Sequence, residues 1–160
     1  MKRVTLSGHM TKQLVTVGWD RPIDEAFWLM EDYHVRHLPV VDDEGYVVGI
    51  LSDRDVNLAM NPGKPGFQLG AKVSGFMSWP ALTVDEQTSL REVALGMADE
   101  KVSSFLVTRG GNEVVGIVTT DDLLRFLADS MSERKGFSLR NLPYSPVVEE
   151  AMRELGAAGL

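Results

Sequence analysis

Cysteine is absent from the 160-residue chain, which removes disulfides, thiolate metal ligands and thiol nucleophiles together. Basic residues are in the minority: 16 lysines and arginines face 23 aspartates and glutamates, for a net charge of -7. No Lys/Arg cluster offsets this, so DNA or RNA would be repelled on average and no nucleic-acid partner is expected. No apolar run approaches the roughly 20 residues that span a bilayer. Met1-Lys2-Arg3-Val4-Thr5-Leu6 leads into Ser7-Gly8-His9 without the apolar core of a signal peptide. A soluble, cytoplasmic protein with no membrane partner is the expectation. Histidine is limited to three residues, and His34 and His37, three apart on an expected strand, would face opposite sides, so no metal site with His9 is expected. With 44% hydrophobic residues the chain can still bury one substantial domain or two small ones sharing a core.

What the chain does contain is a repeat. Val47-Val48-Gly49-Ile50-Leu51-Ser52-Asp53-Arg54-Asp55 returns as Val114-Val115-Gly116-Ile117-Val118-Thr119-Thr120-Asp121-Asp122. Met10, Gly49 and Asp55 recur at Met77, Gly116 and Asp122, each 67 positions later, and the register from Leu6 to Met60 against Val73 to Leu127 has no gap. Each copy opens with Ser-Gly-x-Met and a short β-branched run, Leu14 to Val17 or Ala81 to Val84, expected as a strand. A helix follows. In the first copy Asp20 is the expected cap and Pro22 suits the first turn, with Ile23, Ala26, Phe27 and Met30 on one face. In the second, Leu90, Val93, Ala94 and Met97 take those places and Ser89 and Glu92 are spaced as a capping box.

Two strands joined by a turn come next, Val35 to Val41 and Val102 to Thr108 feeding the signature strands through Asp42-Asp43-Glu44-Gly45 and Arg109-Gly110-Gly111-Asn112. A second helix is expected over Asp53 to Met60 and over Thr120 to Ala128, the latter running on through Ser130 and Glu133 to a stop near Gly136. The predicted fold class is therefore α/β (α+β): two β-α-β-β-α repeats packed about a pseudo-two-fold axis, plus a C-terminal helical appendage. The expected boundaries are residues 1–62 for the first repeat, 63–72 for a Pro/Gly-rich linker, 73–130 for the second repeat and 131–160 for the extension. Its helix is signalled by Ser145 as cap, Pro146 at the first position, Glu149 and Glu150 in the first turn, and a stripe of Val148, Ala151, Met152 and Leu155 before Gly156.

The chemistry lies where each signature strand stops. A buried strand that gives way to Ser52 or Thr119 at a helix N-terminus presents backbone N–H donors and a hydroxyl to an anion. Three residues on, Asp55 or Asp122 can accept two hydrogen bonds from a vicinal diol. Together these suit a ribose-phosphate. The same residues are also good helix caps and first-turn acids, the latter contributing about 0.3 to 1 kcal/mol.

With Val-Gly-Ile-x-[Ser/Thr]-x-x-Asp closing each copy, the opening Met-Thr/Ser and the Val-x-x-Leu-Pro-Val of the first copy, the chain resembles a tandem CBS domain pair, or Bateman module, over Leu6 to Ala128. The resemblance implies two clefts between the repeats that bind adenosine-containing ligands (AMP, ADP and ATP foremost, NAD or S-adenosylmethionine), with regulatory rather than catalytic consequences and no catalytic cofactor. It implies that Asp55 and Asp122 hold ribose, that Ser52 and Thr119 face ribose or phosphate, and that Val15 and Leu82 meet the adenine while Val35 and Val102 close over it. Arg36 and His37 match positions that point to phosphates, whereas their counterparts Ser103 and Ser104 are uncharged, which implies two unequal sites. Leu106 stands where the pattern has the proline seen at Pro39, and Asp53 and Asp121 add negative charge near the phosphates.

The expected function is that of a stand-alone regulatory or sensor protein, not an enzyme, that passes ligand binding to an unknown partner by conformational change. Relatives of this size form disc-like homodimers through their helices, and Phe27, Trp28, Leu123 and Phe126 are the expected dimer faces. Trp19 and Trp28 suit packing or that surface better than base stacking. A structural oligomerisation module with vacant sites is the main competing class. An enzyme would need catalytic residues in Ser132 to Leu160, which has no His or Cys. A hydrolase built from Ser52, His37 and Asp55 would lack a strained nucleophile turn and an oxyanion hole.

Overall fold

The computed structural model describes residues 4–131 and 146–157, and divides into a unit spanning residues 1–130 and a second spanning residues 131–160. In the first unit the elements run β1 (Val17–Gly18), α1 (Ile23–Tyr33), β2 (His37–Val41), β3 (Val47–Ser52), α2 (Asp53–Met60), β4 (Thr83–Asp85), α3 (Leu90–Glu100), β5 (Ser104–Arg109), β6 (Glu113–Thr119) and α4 (Thr120–Ser130). This is the β-α-β-β-α order twice. Each copy forms a three-stranded sheet, β1-β2-β3 or β4-β5-β6, with its first pair parallel and its second antiparallel.

The copies are joined by reciprocal exchange. Thr11 pairs with Ile117 and Ser78 with Ile50, and each partnership is the other shifted by one repeat length. Both make two backbone hydrogen bonds, at 2.9 and 2.9 Å in the first and 2.9 and 3.0 Å in the second. The side chains follow the backbone: Leu6, from the lead-in to the first copy, is fully buried in the core of the second, while Ala71 and Val73 are buried in the core of the first. These matched exchanges are the pseudo-two-fold relation. They also explain the signature glycines, because a Cβ on Gly49 would lie 2.9 Å from the Ser78 carbonyl oxygen and one on Gly116 would lie 2.8 Å from that of Thr11. No side chain fits where another backbone lies flat on the strand.

The structure corrects three details of the sequence reading. Residues 14–16 and 81–82 are not strand: the preceding Thr11 and Ser78 are occupied by the opposite copy, and the strands of the chain's own sheets begin at Val17 and Thr83. Asp20 does not cap α1; Pro22 is the N-cap residue and makes no side-chain cap bond. The first amide of that helix, from Ile23, donates instead to the Ala71 carbonyl at 2.9 Å, just as Leu90 donates to Val4 at 3.0 Å. The strands expected from Val35 and Val102 begin two residues later, because α1 and α3 end on the left-handed residues His34 (φ 52°) and Lys101 (φ 59°), which turn the chain before pairing starts. The capping box of Ser89 and Glu92 is present as read from the sequence.

On α4, Leu123 and Phe126 pack half-buried against the second core and are not the exposed faces expected of them; the exposed apolar residues are Leu124 and Leu127. Phe27 likewise packs against the first core, while Trp28 is 62% exposed and meets Phe27 edge-on. The helix stops at Ser130, whose hydroxyl donates to the Leu127 carbonyl at 2.7 Å, and Met131 is a bend, so the expected continuation is not made; Glu133 and Gly136 lie outside the described residues. In the second unit, α5 (Pro146–Ala157) forms the expected terminal helix but includes Gly156 instead of ending before it. Ser145 and the side chains of Val148, Glu149, Met152 and Leu155 lie outside the described residues. Among the described residues no helix is long and apolar enough to cross a membrane.

Candidate functional site

Both signature strands deliver the same device. At the end of β3 the Ser52 hydroxyl donates to Asp55 Oδ2 at 2.6 Å, the Ser52 N–H donates to the same oxygen at 2.9 Å, and the Asp55 N–H donates back to the hydroxyl at 3.3 Å. At the end of β6 the equivalent three bonds join Thr119 and Asp122 at 2.8, 2.8 and 3.4 Å. The hydroxyl proton is thus committed to the carboxylate, so Ser52 and Thr119 orient the acid more than they donate to a ligand. Fixing Oδ2 leaves Oδ1 of each acid without a hydrogen-bond partner among the described residues. A carboxylate with one anchored and one free oxygen can accept from a diol, so the helix cap does not preclude a ligand-binding role for the same acid.

Each acid opens on a cleft whose far wall belongs to the other copy. The first cleft, of about 420 Å³, joins Ser52 and Asp55 to Leu82, Val102, Ser103 and Ser104. The second, of about 320 Å³, joins Thr119 and Asp122 to Val35, Arg36 and His37. The structure therefore gathers ten of the eleven expected site residues into two mixed clefts. Val15 is not with them: it packs, half-buried, against the first core.

Charge distinguishes the clefts. In the second, Arg36 Nη2 donates to both carboxylate oxygens of Asp121, at 3.1 and 3.2 Å, linking the copies across the cleft. In the first, Arg54 and Lys101 line the wall, and neither has an ion-pair partner among the described residues. His37 lines both clefts and its Nε2 lies 2.8 Å from the Ser103 hydroxyl. Burial pushes its imidazole below the ordinary value of 6.5, assisted by Arg36 and opposed by the carboxylates of Asp53, Asp55 and Asp121. Of the other histidines, His34 caps α1 and His9 meets the Phe126 ring edge-on at 4.7 Å.

Sequence reasoning missed Arg54, Lys101 and Arg125 as lining residues. A signal was available for each. Arg54 sits inside the signature beside Asp55, Arg125 lies one helical turn beyond Asp121 and Asp122, and Lys101 is the repeat counterpart of His34.

The family model described as "CBS domain" matches twice, at residues 4–61 and 73–129. The chain belongs to the CBS-domain family. This CBS pair is 30% identical to the CBS domain-containing protein YhcV of Bacillus subtilis over 86% of the chain and 94% of that protein. It is 29% identical to the uncharacterized protein MJ1404 of Methanocaldococcus jannaschii over 81% of the chain, but spans only a third (33%) of that protein's length. Among solved structures it is similar to the CBS domain pair of protein MJ0100, in complex with 5-methylthioadenosine and S-adenosyl-L-methionine, with a TM-score of 0.72 and 25% identity over 81% of this chain and all (100%) of that one.

Proposed function

We propose that this CBS pair is a regulatory sensor of adenosyl ligands, with AMP, ADP and ATP foremost and NAD or S-adenosylmethionine as alternatives, binding in the two mixed clefts. The observation that carries this reading is that Asp55 and Asp122, each with Oδ1 unbonded among the described residues, line cavities whose opposite walls come from the other copy. In each cavity an apolar residue, Val102 in the first and Val35 in the second, stands in the opposite wall, where it would cover a base whose ribose is held by the acid. The solved relative that holds two adenosyl compounds supports the ligand class. Because every cleft has walls from both copies, occupancy favours one arrangement of the copies over others, and this differential affinity is what a partner protein would read. The protein then acts by binding and not by catalysis, and assembles as a homodimer through helix faces that include Trp28, Leu124 and Leu127.

Calorimetric titration of adenosine, AMP, ATP, NAD and S-adenosylmethionine tests the reading. Saturable binding of at least one, lost when Asp55 and Asp122 are both replaced by Ala, is the expected result. Absence of heat with every compound would favour a purely structural oligomerisation module.

A further inference from the structure

Repeat symmetry places Arg54 and Asp121 at equivalent positions, and likewise Arg36 and Ser103. The first cleft therefore has a cation where the second has an anion. It has a hydroxyl where the second has a guanidinium. In the second cleft these two departures meet: Arg36 and Asp121, from different copies, close on each other across the opening. In the first, Arg54 and Lys101 face the cavity with no ion-pair partner among the described residues.

We propose that Asp121 sets the ligand preference of the second cleft: by holding Arg36 it makes that cleft select adenosyl ligands without a phosphate, leaving phosphorylated ones to the first. This rests on the adenosyl reading given above. A phosphate entering the first cleft finds two cations unpaired among the described residues, Arg54 and Lys101, beside the carboxylate of Asp53. One entering the second finds Arg125 as its one arginine unpaired among the described residues; to gain Arg36 as well it must displace Asp121 and then remain beside the released carboxylate. The pair is exposed, with side chains 56% and 58% accessible, so the selection is modest, about two- to fivefold in affinity.

The test isolates the second cleft with Asp55→Ala and compares adenosine with AMP by calorimetry. In that background AMP should bind no more tightly than adenosine. Adding Asp121→Asn should raise AMP affinity about two- to fivefold with adenosine unchanged, and adding Arg36→Ala should cancel the gain. The mirror experiment uses Asp122→Ala, where AMP should be preferred and Arg54→Asp should remove the preference. An AMP-to-adenosine ratio unmoved by Asp121→Asn, or a gain shared equally by both ligands, would overturn the assignment while leaving the adenosyl reading intact. Failure of the wild-type protein to bind any of the adenosyl compounds, ATP, NAD and S-adenosylmethionine included, would instead remove that reading and this inference together.

Discussion

Between the first cleft and the second, the positions that agree and those that differ fall into separate groups. Ser52 with Asp55 and Thr119 with Asp122 make the same three hydrogen bonds, because both helix starts are closed by the same reciprocal cap, the one proposed to read a ligand's diol. Gly49 and Gly116 agree because a backbone lies against each. The wall positions answer to no such double demand, and there Arg36 stands opposite Ser103, His37 opposite Ser104, and Arg54 opposite Asp121. Fold symmetry preserves the hydroxyl–carboxylate pair at each strand end, while the cleft walls around it diverge.

Breaking one reader at a time should give the largest effect. Asp55→Ala and Asp122→Ala each delete charge-assisted hydrogen bonds, which contribute about 1.5–3 kcal/mol, so each variant should lose at least tenfold affinity at one site and show half the wild-type stoichiometry by calorimetry. Equal losses of both sites from either single change would mean that the clefts are not independent. On the shared scaffold the expectation is the opposite, sameness: Gly49→Ala and Gly116→Ala each press a methyl on a carbonyl oxygen and should cost about 1–3 kcal/mol in urea unfolding. A clear inequality between them would show that the two exchanges are not equivalent.

The smallest effect belongs to His37, which repeat symmetry pairs with Ser104. Its folded-state value lies below the ordinary 6.5, so the unfolded chain binds the proton more readily. Stability contributed by the neutral imidazole is then complete above 6.5 and declines as pH falls from there toward the folded value. Melting temperature should drop slightly more steeply below pH 6.5 in the wild type than in His37→Gln, and a difference that instead grew toward alkaline pH would contradict the assignment.

Much of this was legible in the sequence because it is local or periodic. The 67-residue register gave the two sheets, and a hydroxyl three residues before an acid marked three helix starts, at Ser52, Ser89 and Thr119. What could not be read is what the opposite copy contributes. Asp20 has the composition of a cap, but the Ala71 carbonyl reaches the amide of Ile23 first. His34 and Lys101 adopt left-handed conformations usually left to glycine, which moved both following strands by two residues. The pairing of Arg36 with Asp121 spans 85 positions, beyond any periodicity argument.

Burial of Leu6 in the second core and of Val73 in the first has a consequence for the chain as a covalent object. Severed in the stretch 61–70, it would yield two polypeptides, each carrying the plug for the other's hydrophobic interior and lacking its own. Apart, both should be molten and sticky. Mixed in equal amounts they should knit into a native-like heterodimer whose melting point rises with concentration, a dependence that the intact chain avoids by holding both plugs on one thread.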